Sequence, residues 1–155
     1  MNLSDLVTPE AVLPSVVAQS KKQTLQDVCA VAARLTGVPD REVFDTILQR
    51  ERLGSTGVGH GIAIPHGKLR TLDRLVGVFA RLARPVEFDA LDDQPVDLVF
   101  LLLAPESAGA DHLKALARVA RVLRDGAVAA KLRSAATAAD LYGILSDPGQ
   151  ASHAA

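Results

Sequence analysis

The chain is 155 residues long and carries a formal net charge of −1, from 17 Lys and Arg against 18 Asp and Glu. That length fits one domain with one sizeable core, and with 48% hydrophobic residues and no Trp the core is built from Leu, Val, Ile and Ala. Balanced charge excludes the global basic field suited to nucleic acid or an anionic membrane, no apolar run approaches the ~20 residues of a membrane span, and the single cysteine excludes an internal disulfide framework; a cytoplasmic protein with no signal segment, no nucleic-acid partner and no direct membrane insertion is expected.

Pro14 within residues 13–18 predicts an edge strand, because proline has no N–H to give to a central ladder. Thr24 and Asp27 resemble a capping box. Leu25, Val28, Cys29, Ala32 and Leu35 then recur at helical spacing until Gly37, which places Cys29 in the core. Pro39 stands as the first residue of a second helix, with Val43, Phe44, Ile47 and Leu48 on its inner face and an end near Arg52. Residues 54–68 follow, reading Gly-Ser-Thr-Gly-Val-Gly-His-Gly-Ile-Ala-Ile-Pro-His-Gly-Lys. Its glycines permit positive φ and close backbone approach, and Ile62 and Ile64 alternate as in a half-buried strand. Pro65 is expected to end that strand and leave His66 in an open turn.

Farther on, Val76, Val78, Ala80 and Leu82 alternate with Leu75, Gly77, Phe79 and Arg81, whereas residues 98–104 are apolar throughout. The second of these strands is therefore buried on both faces, and helices must cover both sides of the sheet. Asp111 is expected to cap a helix with the stripe Leu113, Leu116, Ala117, Ala120 and Leu123, leaving His112 in its first turn. A short helix spans 128–132, and a last one starts at Thr137 with Asp140 three residues on. Residues 1–147 form the domain, and residues 148–155 read as a mobile tail. The fold class is α/β, a single-domain sandwich with a mixed β-sheet flanked by helices on both faces.

Three chemistries can use a histidine presented as His66 is. A phosphate-binding P-loop requires Ser or Thr after its lysine, and Lys68 is followed by Leu69. A metal site drawing on His60, His66 and His112 lacks helical i, i+4 spacing and a clear carboxylate partner, so ligand spacing gives it no support. Covalent phosphoryl transfer suits the surroundings better, because a neutral imidazole nitrogen attacks phosphorus while the protein positions the group and stabilises its charge. Backbone N–H groups of the glycine run, Gly57 and Gly67 included, can form an anion-binding concavity, with Ser55 and Thr56 adding hydroxyls. Arg50 can offer a guanidinium, and His112 can add a donor at a helix N-terminus. No step calls for a metal or another cofactor. Ser55 and Thr56 can equally do no more than close turns, and His60 and His153 read as solvated.

Arg50-Glu51, Gly54-Ser-Thr-Gly57, Gly61-Ile-Ala-Ile-Pro-His-Gly-Lys68, the segment 88–98 and Asp111-His-Leu113 together resemble the IIA domain of the bacterial phosphotransferase system, in its fructose/mannitol class and in the manner of its nitrogen-regulatory branch. The resemblance extends from about Leu6 to Leu145 and makes residues 1–147 a type-2 IIA domain. It implies that His66 is phosphorylated, that His112 is a second active-site histidine and that Arg50 supports the phosphoryl group. It implies a small HPr-like phosphocarrier as donor and regulatory targets linked to potassium transport or stress signalling. The alternative implied by the same family is a sugar-specific component passing phosphate to a IIB domain. His60 stands where that pattern commonly has a small polar residue such as Asn.

Overall fold

The computed structural model describes residues 2–153. Two single 3-10 turns, Leu3–Asp5 and Pro9–Ala11, lead into β1 (Val12–Val16) at one edge of the sheet. Pro14 is exposed there, and its carbonyl accepts from Arg81 Nε at 2.9 Å. Next comes α1 (Lys21–Thr36), whose cap is Ser20 and not Thr24: the Ser20 hydroxyl accepts from the Gln23 N–H at 3.1 Å. Thr24 lies a turn inside and donates back to the Ser20 carbonyl at 2.8 Å. Gly37, at φ 78°, ends the helix in the left-handed conformation that a Cβ disfavours. Pro39 precedes α2 (Asp40–Leu53) as its cap, one residue earlier than expected, and Val43, Ile47 and Glu51 are buried along it.

Among the described residues the sheet has six strands, the others being β2 (Gly57–Gly59), β3 (Ile62–Ala63), β4 (His66–Leu69), β5 (Val76–Val86) and β6 (Val96–Pro105), in the order β1-β5-β6-β3-β2 with β4 also joined to β6. Its centre is β6, buried at every position except Asp97. On one side β6 runs antiparallel to β5, which in turn holds β1 in parallel. On the other side β6 carries two short parallel strands in one register: β3 opposite Leu98 and Val99, and β4 opposite residues 102–105. The far edge is β2, antiparallel to β3. Phe79, Phe100, Leu101, Leu102 and Leu103 are fully buried here, each contributing about 1.5–3 kcal/mol of transfer free energy. A strand buried on both faces needs cover on both, and this is the mixed sheet between helices that the sequence predicts.

After β6 come α3 (Ala110–Arg124), α4 (Gly126–Ser134), α5 (Ala138–Ser146) and α6 (Pro148–His153). The expected face of α3 is rotated. Its buried residues are His112, Ala115, Val119, Val122 and Leu123, while Leu113 is 69% exposed. Counting apolar residues alone placed Leu113 inside, because the polar His112 occupies the inward position. Thr137 caps α5 as expected, accepting from the Asp140 N–H at 3.1 Å. The segment read as a tail from residue 148 starts with α6, where Asp147 accepts from the Gln150 N–H at 3.3 Å. Residues 154 and 155, and the side chain of His153, lie outside what is described.

Candidate active site

His66 does not stand in an open turn. It is the first residue of β4, half-buried, and lies opposite Leu102 of the central strand. Pro65 does not end the pairing either, for its carbonyl accepts from the Leu102 N–H at 2.9 Å. Proline is tolerated here because it supplies only an acceptor in the gap between β3 and β4. The His66 ring is oriented from behind, where Nδ1 lies 2.8 Å from the Ile64 carbonyl oxygen. A carbonyl can only accept, so Nδ1 carries the hydrogen and Nε2 keeps the lone pair of the neutral ring.

His112 faces this ring from the first turn of α3. The centroids are 5.7 Å apart and the planes meet at 70°, an edge-on contact. His112 is only 6% exposed, and its Nε2 is buried with no hydrogen-bond partner among the described residues. Burial is the largest influence on both rings and holds both below the ordinary imidazole value. For His66 the Arg50 charge adds to this lowering, while the Ile64 carbonyl and the Glu51 charge oppose it. For His112 the nearby His66 and Lys68 push in the same downward direction. Two neutral imidazoles side by side avoid mutual repulsion and leave one of them nucleophilic.

Arg50 occupies the last turn of α2 and donates from Nη1 to the Gly54 carbonyl at 2.8 Å, where a cation favours the helix C-terminus. The glycine run, however, folds as a hairpin, and its amides are largely paired. Thr56 N–H goes to both oxygens of Glu51 at 3.1 Å, Gly57 N–H to Ser55 Oγ at 3.0 Å, and His60 N–H to Asp92 Oδ2 at 3.0 Å. The Ser55 hydroxyl donates to the Phe88 carbonyl at 2.6 Å, and the Thr56 hydroxyl donates to Glu51. Ser55, Thr56 and Gly57 therefore tie the run down, and these groups do not form an open concavity. Gly57 leaves no space for a side chain, since a Cβ there would meet Ala90 Cβ at 2.8 Å. Gly67 is likewise pressed against α2, its would-be Cβ 2.8 Å from Thr46 Cγ2.

His60 and Gly61 form the two-residue turn between β2 and β3, with φ of 59° and 78°. A turn with two positive φ values accepts Asn, Asp or His before Gly, which explains His60 without any chemistry. Its carbonyl accepts from Arg133 Nη2 at 2.7 Å. Among the described residues no group of three or more His, Cys, Asp or Glu side chains is arranged to hold a metal ion.

Sequence reasoning left Glu51 and Lys21 unassigned. Glu51 is 7% exposed, bound to Thr56, and has Lys21 Nζ at 3.8 Å from Oε1. Lys21 Nζ also lies 4.9 Å from the centroid of the Phe88 ring. One signal was available: a carboxylate in the last turn of a helix opposes the dipole there and needs another reason to be present.

Comparison with known proteins gives the family of the chain. Residues 5–147 match the family described as phosphoenolpyruvate-dependent sugar phosphotransferase system, EIIA 2. A nitrogen regulatory protein of Bradyrhizobium diazoefficiens is 60% identical over 148 residues, covering 96% of this chain and 97% of that protein. The nitrogen regulatory protein of Escherichia coli K12 is 46% identical over 149 residues, covering 95% of this chain and 91% of its own. The crystal structure of nitrogen regulatory protein IIA-Ntr from Neisseria meningitidis superposes with a TM-score of 0.88 at 32% identity, covering 92% of this chain and 98% of that one. No helix among the described residues is long and apolar enough to cross a membrane. With the family matched over nearly its whole length, the chain belongs to the EIIA 2 family of the phosphoenolpyruvate-dependent sugar phosphotransferase system.

Proposed function

We propose that the protein is a cytoplasmic phosphoryl carrier of the nitrogen-regulatory branch, which accepts phosphate on His66 from an HPr-like phosphocarrier and acts on regulatory targets according to its phosphorylation state. The observation that carries this reading is the hydrogen bond from His66 Nδ1 to the Ile64 carbonyl, which leaves Nε2 as the free nucleophile of a neutral ring. In the transfer, the Nε2 lone pair forms a bond to phosphorus as the bond from phosphorus to the donor's histidine nitrogen breaks, and that nitrogen keeps the electron pair. The ring becomes a phosphohistidine still held through its Nδ1–H.

Charge on the moving phosphoryl group is then met by Arg50, by His112 Nε2 and by the first turn of α3. Gly67 keeps the backbone beside His66 without a side chain, whereas Ser55, Thr56 and Gly57 act through the loop they hold. Exposed Leu53 at the end of α2 and Leu113 beside His112 give apolar contacts for a docking partner. The nitrogen-regulatory reading is supported over sugar uptake by the 46% and 60% identity to proteins named nitrogen regulatory. Targets linked to potassium transport or stress signalling are part of the same proposal.

The test is incubation with a purified, phosphorylated HPr-type donor, followed by intact-mass measurement and NMR of the phosphorylated ring. Wild type should gain one phosphoryl group at Nε2 of His66. His66→Ala should gain none while keeping its circular dichroism. Arg50→Ala and His112→Ala should still be labelled on His66, more slowly by about tenfold to a thousandfold. Acid-labile phosphate on the His66→Ala protein would move the site elsewhere.

A further inference from the structure

We propose that Glu51 is a positioning residue for His66: its buried carboxylate, paired with Lys21 and bonded to Thr56, anchors a chain of contacts that runs residue to residue through Thr56 and Ile64 and ends on His66 Nδ1. The inference rests on the reading of His66 as phosphoryl acceptor and adds a residue to that site. The chain can be followed residue by residue. Lys21 Nζ lies 3.8 Å from Glu51 Oε1, and the two Glu51 oxygens accept the Thr56 N–H at 3.1 Å. The Thr56 carbonyl accepts the Ile64 N–H at 3.0 Å, and the Ile64 carbonyl accepts the His66 Nδ1–H at 2.8 Å. Four elements of the sequence, at 21, 51, 56 and 64, thereby converge on one ring nitrogen.

This arrangement has a cost that a purely structural role would not require. A carboxylate buried in the last turn of α2 lies against the helix dipole and loses hydration, and a polar uncharged side chain would satisfy the Thr56 amide with less penalty. The hydrogen bonds fix Thr56 and, through its carbonyl, Ile64, while what only the charge supplies is a negative field acting through space on the His66 ring. A fixed Ile64 carbonyl holds the final Nδ1–H···O bond, and the negative field favours the proton on the nitrogen facing it, so the tautomer in which Nε2 is the nucleophile is kept. The charged groups facing His66 are Arg50 and Glu51 from α2 and the titratable His112 from α3; Lys68 of β4 faces His112, and Lys21 of α1 faces Glu51. The Glu51 charge raises the His66 midpoint, in opposition to the burial and the Arg50 charge that lower it.

The experiment uses the full-length, unphosphorylated chain with 15N-labelled histidine, so that ring shifts report tautomer and titration midpoint without any donor. Single-turnover phosphoryl acceptance is measured on the same samples. Glu51→Gln keeps one oxygen for the Thr56 amide and removes the charge. It should lower the His66 midpoint, increase the fraction with hydrogen on Nε2, and slow acceptance about tenfold or more. Lys21→Met leaves the apolar stem and removes the cation beside Glu51, and it should move the midpoint the opposite way, upward. Unchanged ring shifts and midpoint in Glu51→Gln overturn the proposal; if that variant does not fold, an unchanged midpoint in Lys21→Met does so alone. Wild type that takes no phosphate while its ring answers both variants would overturn the carrier reading and leave the positioning role standing.

Discussion

At the scale of single residues, the free energy that matters is the small bias between two forms of one imidazole. Burial outweighs the Ile64 carbonyl and Glu51 in setting the His66 midpoint below the ordinary value of about 6.5, with Arg50 reinforcing it. In the proposed transfer the nucleophile is the neutral ring, so phosphoryl acceptance should rise with pH through a midpoint under about 6.5 and then level off above it. Single-turnover rates from one phosphorylated donor, measured between about pH 5 and 8, read this directly, provided the donor's own titration is subtracted. A midpoint at or above the usual value would mean that burial is not the dominant influence. His66, His112 and Arg50 were singled out in the sequence by residue type and by the family resemblance, and the fold brings the two rings to 5.7 Å between centroids. Glu51 was not singled out, since its role depends on Thr56 lying over it, a contact made by the fold of the intervening loop.

Among the elements, β4 is the one whose placement decides whether the site exists. It is short, and α2 holds it from one side at Gly67. Gly67→Ala would set a methyl 2.8 Å from Thr46 Cγ2 and 3.4 Å from Ile47 Cδ1, forcing β4 and α2 apart. The expected loss is about 1–3 kcal/mol in urea unfolding, together with slower phosphoryl acceptance. Adding Thr46→Ser removes the clashing methyl and should recover most of both. No recovery in the double variant would place the strain elsewhere. The helices and long strands were readable from periodicity, since their apolar repeats survive any local error. The face of α3 was misjudged at Leu113 because a buried histidine breaks the apolar count, and β4 was read as a turn because pairing to β6 leaves no local mark on four residues that include Gly and Lys. A hydrophobic pattern reports what touches the core; it does not report which carbonyl a short strand will find across the sheet.

Over the molecule as a whole, two neutral histidines, His112 buried and His66 half-buried, couple the site to acid stability. Both are held below their unfolded values, so between the folded and unfolded midpoints the unfolded chain binds more protons. Stability from this source is full above about pH 6.5 and is lost as the pH falls through the lowered midpoints. Melting temperature should therefore drop on the acid side for wild type, and the drop should be shallower in His112→Gln, as thermal scans across that range will show. An equal slope in the variant would assign the acid loss to carboxylates. The same compact arrangement gives the site a history during synthesis. Arg50, Glu51 and His66 are all made before β6, the strand that seats β4, and before α3, which brings His112. A nascent chain ending near Leu91 holds His66 and the Ile64 carbonyl, but neither the strand that seats β4 nor the histidine of α3. On the proposed carrier reading, phosphoryl acceptance at the full rate therefore needs a chain whose synthesis has passed residue 112 and whose central strand seats β4, so rapid modification favours molecules in which this half of the sheet is already built.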